Sequence, residues 1–136
     1  MTFNRIRISK DATAKLSIIK GRTCLTPNIL CRFAFCLSIN ESVQVKPSVY
    51  DDACQEFNRH TLTGEFDSFF MALLKERMLM DGLNTKSESE MLQQFKGHLN
   101  RGVGLLYSRV KNIGDLYNLL PAKMQKIRQE RVKNAD

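Results

Sequence analysis

The sequence feature that most restricts the fold is an apolar stretch between Leu25 and Ile39. Its only charged residue is Arg32, although 26% of the whole chain is charged. The stretch opens with Thr26 and Pro27, a capping hydroxyl followed by a proline at the first helical position, which predicts a helix. Because apolar side chains occur on every side of this helix, it belongs in a core or at a subunit interface.

The length of the chain limits how much of this helix one copy can cover. With 136 residues, the chain is expected to form a single helical domain over residues 1–120 with a modest core. We therefore expect a second copy to cover part of the helix in a homo-oligomer, a dimer or a tetramer, and we expect Phe35→Asp to break it. Arg32 is expected to pair with a carboxylate, because an unpaired buried charge is very unfavourable.

The segments around the apolar helix predict a mainly α fold with one short strand at the N-terminus. Residues 5–8, RIRI, alternate and predict a strand with its arginines on one side and its isoleucines on the other. Ser9 is the expected N-cap of a helix, and Gly21 is its expected end. Apolar stripes predict later helices at residues 65–82, 87–102, 103–110 and 115–121.

The remaining segments are assigned from their composition. Residues 38–53 are polar and contain turn-forming residues, which predicts a loop, and residues 51–60 favour a helical turn. In the first of the later helices, Phe66 and Phe69 belong to the apolar stripe and are expected to face the core. The charged segment 121–136 is expected to fray.

Charge is uneven along the chain, with two basic ends around an acidic middle. Residues 1–46 hold eight basic and two acidic side chains, residues 47–95 four and nine, and residues 96–136 nine and three. The net charges are +6, −5 and +6, in agreement with the overall charge of +7. Single-sign blocks of this size exceed what solubility requires and indicate an anionic partner, namely nucleic acid.

The basic residues of the N-terminal block are the first candidates for contact with DNA phosphates. Backbone N–H groups at the start of the apolar helix can hold a phosphate in addition. The candidate DNA-binding residues are Arg5, Arg7, Lys10, Lys15, Lys20, Arg22 and Asn28. The second choices are Arg101, Arg109 and Lys111. Contacts of this kind are made to the DNA backbone, so we expect little sequence preference.

The sequence lacks the residue patterns of known catalytic and cofactor sites. It contains no Walker loop, no GxGxxG and no zinc-binding spacing of cysteines. His60 and His98 are not paired with a nucleophile, so no enzymatic activity, cofactor or metal is expected, and the four cysteines are expected to be buried free thiols. No segment approaches the roughly 20 apolar residues of a membrane span, and the N-terminus is unlike a signal peptide. We therefore expect a cytoplasmic protein without membrane contact.

The order of strand, helix, turn and helix over residues 5–39 resembles the ribbon–helix–helix family of DNA-binding proteins. The resemblance implies a dimer formed through the strand, with Arg5 and Arg7 facing a DNA groove. It also implies an alternative function as a transcriptional repressor. The chain continues long after this unit, and its later stripes predict a helical bundle behind the N-terminal part.

A second resemblance covers more of the chain. Its phrases are RTCLTPNILCRFAFCLSINE at residues 22–41, EFNRHTLTGEFDSFFMALLKERM at 56–78 and HLNRGVGLLYSRVKNIGDLYNLL at 98–120. Together they resemble the DndE family of DNA sulfur modification proteins. The resemblance implies a helical oligomer in the bacterial machinery that replaces a non-bridging phosphate oxygen of DNA with sulfur.

The same resemblance implies the function and the partners. The expected function is that of a non-catalytic accessory subunit that binds duplex DNA, including nicked duplex, through its phosphates. The implied partners are a cysteine desulfurase, an ATP-using sulfur-transfer protein and an SMC-like ATPase, which carry out the chemistry. The alternative is a protein scaffold that holds the sulfur-transfer protein and the ATPase without touching DNA.

Overall fold

The computed structural model describes residues 3–119 and residue 131. The chain is mainly α, as predicted. Its elements are β1 (Arg5–Arg7), α1 (Lys10–Thr23), α2 (Pro27–Ile39), β2 (Glu56–Asn58), α3 (Arg59–Thr63), α4 (Asp67–Met80) and α5 (Glu88–Arg109). Short 3-10 turns occupy Pro47–Val49, Gly64–Phe66 and Ile113–Leu119. The expected fraying of 121–136 lies outside the described residues, apart from residue 131, which is helical.

The N-terminal strand pairs with a strand of its own chain. β1 and β2 are antiparallel, with Ile6 opposite Phe57. Both of these side chains are buried, whereas Arg5 and Arg7 face solvent, as the alternation predicted. β2 lies where the sequence predicted a helical turn, at residues 51–60. The expectation that β1 pairs with a second copy is therefore wrong. The ribbon–helix–helix repressor required that pairing, so the structure gives no support for it.

α1 begins at its predicted cap and ends later than predicted. The Oγ atom of Ser9 accepts a hydrogen bond from the backbone N–H of Ala12 at 3.0 Å. The helix then continues through Gly21 to Thr23, and Cys24 adopts a left-handed conformation with a φ of 60°. This conformation is usually supplied by glycine or asparagine, so the sequence pointed to Gly21 as the end of the helix.

α2 and α5 form the centre of the fold and approach each other very closely. A Cβ atom placed on Gly102 of α5 would lie 1.8 Å from the carbonyl oxygen of Ala34 on α2. On the same side of α2, Phe35 stacks on Phe95 with ring centroids 5.1 Å apart. Phe35 is only 1% exposed. Its expected place at a subunit interface is therefore wrong, and Phe35→Asp would disturb the core instead.

α5 is one continuous helix of 22 residues where the sequence predicted two. Ser87 caps its start, because the backbone N–H of Glu90 donates to the Oγ atom of Ser87 at 3.3 Å. Gly102 and Gly104 lie at and just after the predicted boundary, and glycine is a poor helix former. Packing against α2 keeps the helix regular through both glycines. No helix in the described part of the chain is long and apolar enough to cross a membrane.

Candidate functional site

The structure places the predicted DNA-binding residues in different surroundings. Arg5 and Arg7 on β1 both form ion pairs with the carboxylate of Glu56, each at 3.5 Å. Asn28, at the start of α2, lines a surface pocket that Glu56 also lines. The start of α2 therefore has a negative charge beside the position where a phosphate was expected. A phosphate bound at any of these three residues would have the carboxylate of Glu56 nearby.

The predicted cations on α1 have other surroundings. Lys10 and Lys20 are exposed. Lys15 and Arg22 are seven residues apart, so they lie on nearly the same side of α1. Both reach Tyr107 on α5: the Lys15 Nζ atom lies 5.6 Å from the ring centroid, and the guanidinium carbon of Arg22 lies 4.9 Å from it.

A third cation near the same ring comes from the end of α5. The Nζ atom of Lys111, just after α5, lies 5.2 Å from the centroid of the same ring. We call Lys15, Arg22, Tyr107 and Lys111 the Tyr107 cluster. The sequence had ranked Lys111 as a second choice and had missed Tyr107, because the meeting of α1 with the end of α5 is a tertiary contact. The spacing of seven residues was the one sequence signal that Lys15 and Arg22 act together.

Part of the Tyr107 cluster caps the end of α5. The Nη1 atom of Arg22 donates to the carbonyl oxygens of Tyr107 and Val110, each at 3.5 Å. The Nζ atom of Lys111 donates to the carbonyl of Tyr107 at 3.4 Å. Such carbonyls have no partner within the helix and carry partial negative charge. These bonds hold Arg22 and Lys111 close together.

A second surface feature is an apolar groove between α2 and α4. The groove has a volume of about 430 Å³. Its lining residues are Ile29, Arg32, Phe33, Cys36, Phe66, Phe69 and Phe70. Phe66 and Phe69 are 48% and 58% exposed, so their predicted position toward the core is wrong. α4 buries its other side instead, through Phe70, Met71, Leu74 and Met78.

The groove is continued along α2 by a second hollow. Phe33 and Cys36 line both, and the second hollow has a volume of about 450 Å³. Its other wall includes Leu73 of α4 and two residues of the last 3-10 turn, Leu116 and Leu119. The outward side of α2 is thus apolar along most of its length and is only partly covered by its own chain.

Arg32, the lone charge of α2, is bound by backbone carbonyls. Its Nε atom donates to the carbonyl oxygen of Leu62 at 2.6 Å, and its Nη2 atom donates to that of Thr61 at 3.4 Å. The guanidinium also lies against Gly64, where a Cβ atom would be 2.7 Å from Nη2. Gly64 has a φ of 58°, which favours glycine. The predicted carboxylate partner is therefore wrong: the end of α3 supplies the acceptors.

The other candidate residues for chemistry are buried or scattered. The Ser38 Oγ and His98 Nδ1 atoms are 2.8 Å apart, and the Nε atom of Arg101 donates to the same Oγ at 2.8 Å. Ser38 and His98 are both fully buried, so a substrate has no access to this pair. Within the described ranges, no group of three or more His, Cys, Asp or Glu residues could hold a metal ion.

The cysteines differ in exposure. Cys31 is buried, and burial raises the pKa of its thiol to about 12. Cys24, Cys36 and Cys54 are exposed, so the prediction of buried thiols holds for Cys31 alone. Partial burial also raises the pKa of Cys36 in the groove. A thiol with a raised pKa is a weaker nucleophile at neutral pH.

Burial of His98 is expected to make stability depend on pH. Desolvation, followed by the charges of Arg101 and Arg77, lowers the pKa of His98 from 6.5 to about 4. The folded state therefore resists protonation, so the full stability is present above pH 6.5 and is lost as the pH falls toward 4. We expect a slope of about 1.4 kcal/mol per pH unit in this window, measured by urea unfolding at several pH values.

His98→Gln is the matched control, because it removes the titrating group. The variant is expected to be less stable at neutral pH and to lose this slope between pH 6.5 and 4. Hydrogen bonds from Arg59 and Thr63 lower the pKa of Asp67 from its usual 3.8. Protonation of Asp67 therefore changes stability only around and below pH 3.8, outside the window assigned to His98. An equal slope in both proteins would show that His98 is not the group responsible.

Similarity to known proteins extends over all of these helices and strands. The family model described as "DNA sulphur modification protein DndE" matches residues 5–113. The chain belongs to the DndE family. The matched part contains every helix and strand from β1 to α5, and it ends at the start of the last 3-10 turn. The resemblance to DndE proteins found in the sequence is confirmed.

Solved structures of DndE proteins have the same fold. The crystal structure of DndE from Escherichia coli B7A, described as involved in DNA phosphorothioation modification, is 27% identical with a TM-score of 0.63. The similarity covers 78% of this chain and 98% of the DndE chain. A DndE G21/24K mutant, also described as involved in DNA phosphorothioation, is 24% identical with a TM-score of 0.60 and the same coverage. No curated protein matches the sequence.

Proposed function

We propose that this DndE family member is an accessory subunit of a DNA phosphorothioation system that binds duplex DNA through backbone phosphates and carries out no chemistry itself. The observation that carries the proposal is the family match, which spans residues 5–113 of a chain with a net charge of +7. Its fold gathers cations along α1 and leaves the Ser38–His98 pair without solvent access. The sulfur-transfer protein and the SMC-like ATPase are the proposed partners that carry the chemistry.

If the chain binds DNA through its phosphates, the affinity is expected to depend on the salt concentration. Lysine and arginine contacts to phosphates release counterions, so affinity falls linearly with salt concentration on logarithmic scales. We expect the protein to bind intact and nicked duplexes of unrelated sequence at low salt and to lose most of this affinity by moderate salt. Fluorescence anisotropy across a salt series measures it. Absence of binding at low salt would contradict the proposal.

Self-association is the second part of the proposal, and the α2–α4 groove is its proposed surface. A second copy is the proposed occupant. The outward side of α2 is apolar along its length, as the groove walls are, so the same surface on two copies can pack against itself. Exposed apolar patches of this kind mark interaction sites in soluble proteins. DNA contacts on several copies would then add to one another.

Phe33→Asp tests this surface. The variant is expected to lower the mass of the particle in solution, because a carboxylate in the groove would be desolvated by the second copy. Light scattering at micromolar concentration measures the mass. Leu79→Asp is the control, since Leu79 is also exposed on α4 but does not line the groove. Equal masses for Phe33→Asp and the parent protein would remove the groove from the assembly.

A scaffold without DNA contact is the second candidate function. The apolar groove favours it, because the groove suits a partner protein as well as a second copy. A scaffold would keep its protein partners at high salt and after nuclease treatment, and it would not bind labelled DNA. Loss of the partners under the same conditions would favour the DNA-binding function.

A further inference from the structure

We infer that the Tyr107 cluster is the place where a backbone phosphate of DNA is bound directly, and that the strand arginines only attract DNA from a distance. This inference rests on the proposed DNA-binding function and assigns a particular site to it. Two of its cations lie on α1 and the third directly follows α5, so the cluster joins two parts of the chain that are distant in sequence. A fixed group of cations is what a phosphate site requires.

The donors of the cluster are only partly used by its own chain. Each lysine ammonium carries three donors. Lys15 gives one of them to Asp11 at 2.9 Å, and Lys111 gives one to the carbonyl of Tyr107. Arg22 uses its Nη1 atom for the end of α5, and its Nε and Nη2 atoms make no hydrogen bond to the described residues. Several N–H groups therefore remain for the oxygens of one phosphate.

The charge of the cluster is also incompletely balanced. The three cations carry three positive charges. Asp11 supplies one negative charge, and the C-terminus of α5 supplies a partial charge of about −0.5. Asp115 lies nearby, but its carboxylate accepts hydrogen bonds from the backbone N–H groups of Lys111 and Asn112. The Asp115 carboxylate forms no ion pair within 4 Å with the ammonium of Lys111. Capping of the helix end alone does not require three cations.

The strand arginines provide a contrast within the same molecule. Arg5 and Arg7 share one carboxylate, that of Glu56, and no third cation joins them among the described residues. A phosphate there would have to compete with Glu56. Removing this pair changes the net charge as much as removing two lysines from the cluster does, so it provides a matched control.

The test compares two double variants. Lys15→Gln with Lys111→Gln is expected to weaken binding of a fluorescent duplex about tenfold at low salt and to reduce the salt slope by about 1, as expected for a lost phosphate contact. Arg5→Gln with Arg7→Gln is expected to weaken binding less than threefold and to keep the slope. Thermal unfolding of both variants checks that they are folded.

A third variant changes the arrangement without changing the charge. Tyr107→Leu removes the ring that the three cations share and is expected to weaken DNA binding about threefold or more, whereas Tyr50→Leu, on a different loop, leaves it unchanged. If both double variants lose affinity equally and keep the same slope, the cluster is not a site, although the protein still binds DNA. If the parent protein does not bind DNA, both the inference and the proposed function fail.

Discussion

Gly102→Ala is expected to be the most damaging single substitution in the chain. Its Cβ atom would lie 1.8 Å from the carbonyl oxygen and 2.9 Å from the Cα atom of Ala34, so α2 and α5 would have to move apart. The atoms it meets belong to helix backbone and cannot rotate away. We expect a loss of about 3 kcal/mol or more in the free energy of unfolding, or a protein that does not fold.

Gly104→Ala is the matched control, two residues further along the same helix. No atom lies within 4 Å of the Cβ that it would gain. Because alanine is a better helix former than glycine, the variant is expected to be more stable than the parent by up to about 1 kcal/mol. Urea unfolding measures both variants. A small effect of Gly102→Ala would mean that α2 and α5 lie farther apart than described.

Arg77→Met is expected to have an effect on stability of comparable size. Arg77 is 6% exposed and donates to the carbonyl oxygens of Ile39, Glu41 and Val43, so it holds the end of α2 and the following loop against α4. It also forms an ion pair with Asp81 at 3.0 Å. The substitution leaves the Asp81 carboxylate and the carbonyls of Ile39 and Glu41 without their partner, whereas the Val43 carbonyl keeps a bond from Arg101. We expect a loss of about 3 to 5 kcal/mol.

Arg109→Met separates this effect from the general loss of a positive charge. Arg109 forms an ion pair with Glu41 at 3.1 Å, and both side chains are substantially exposed, at 45% and 35%. Exposed pairs of this kind contribute less than about 1 kcal/mol. Chemical unfolding of the two variants under identical conditions is therefore expected to differ by several kcal/mol. Similar midpoints would argue against the central place of Arg77.

Local signals in the sequence were sufficient for the starts of α1 and α5 and for the inward side of the strand. Ser9 and Ser87 cap helices because their hydroxyls accept from the first turn, a rule that needs no tertiary information. Ile6 is buried because strand residues alternate. The family phrases were equally readable, since they extend through most of the matched part.

Features that depend on distant residues were not predictable in this way. β2 has three residues and gains its stability from β1, about fifty residues earlier, so its own sequence carries little strand signal. Phe69 has the right spacing for a core position, but α4 turns a different side inward. Arg32 finds acceptors at the end of α3, which no spacing rule connects to α2.

Only part of the candidate site was predicted, because it also depends on contacts between residues that are distant in sequence. Lys15 and Arg22 were named from the charge of the N-terminal block, and the structure brings them together at one ring. Tyr107 was not named, because an aromatic residue on a helix is usually part of the core. Arg5 and Arg7 were named on charge alone, and charge does not reveal that Glu56 lies opposite them.

The last 3-10 turn has a consequence for how relatives of this chain can differ. Leu116 and Leu119 form one wall of the hollow on the outward side of α2, and both come after residue 113, where the family match ends. The shape offered to a neighbouring molecule is thus completed by residues that follow the part matched by the family model. A substitution at Leu116 or Leu119 is therefore expected to alter which molecule packs on this side of α2 while leaving the core between α2 and α5 in place.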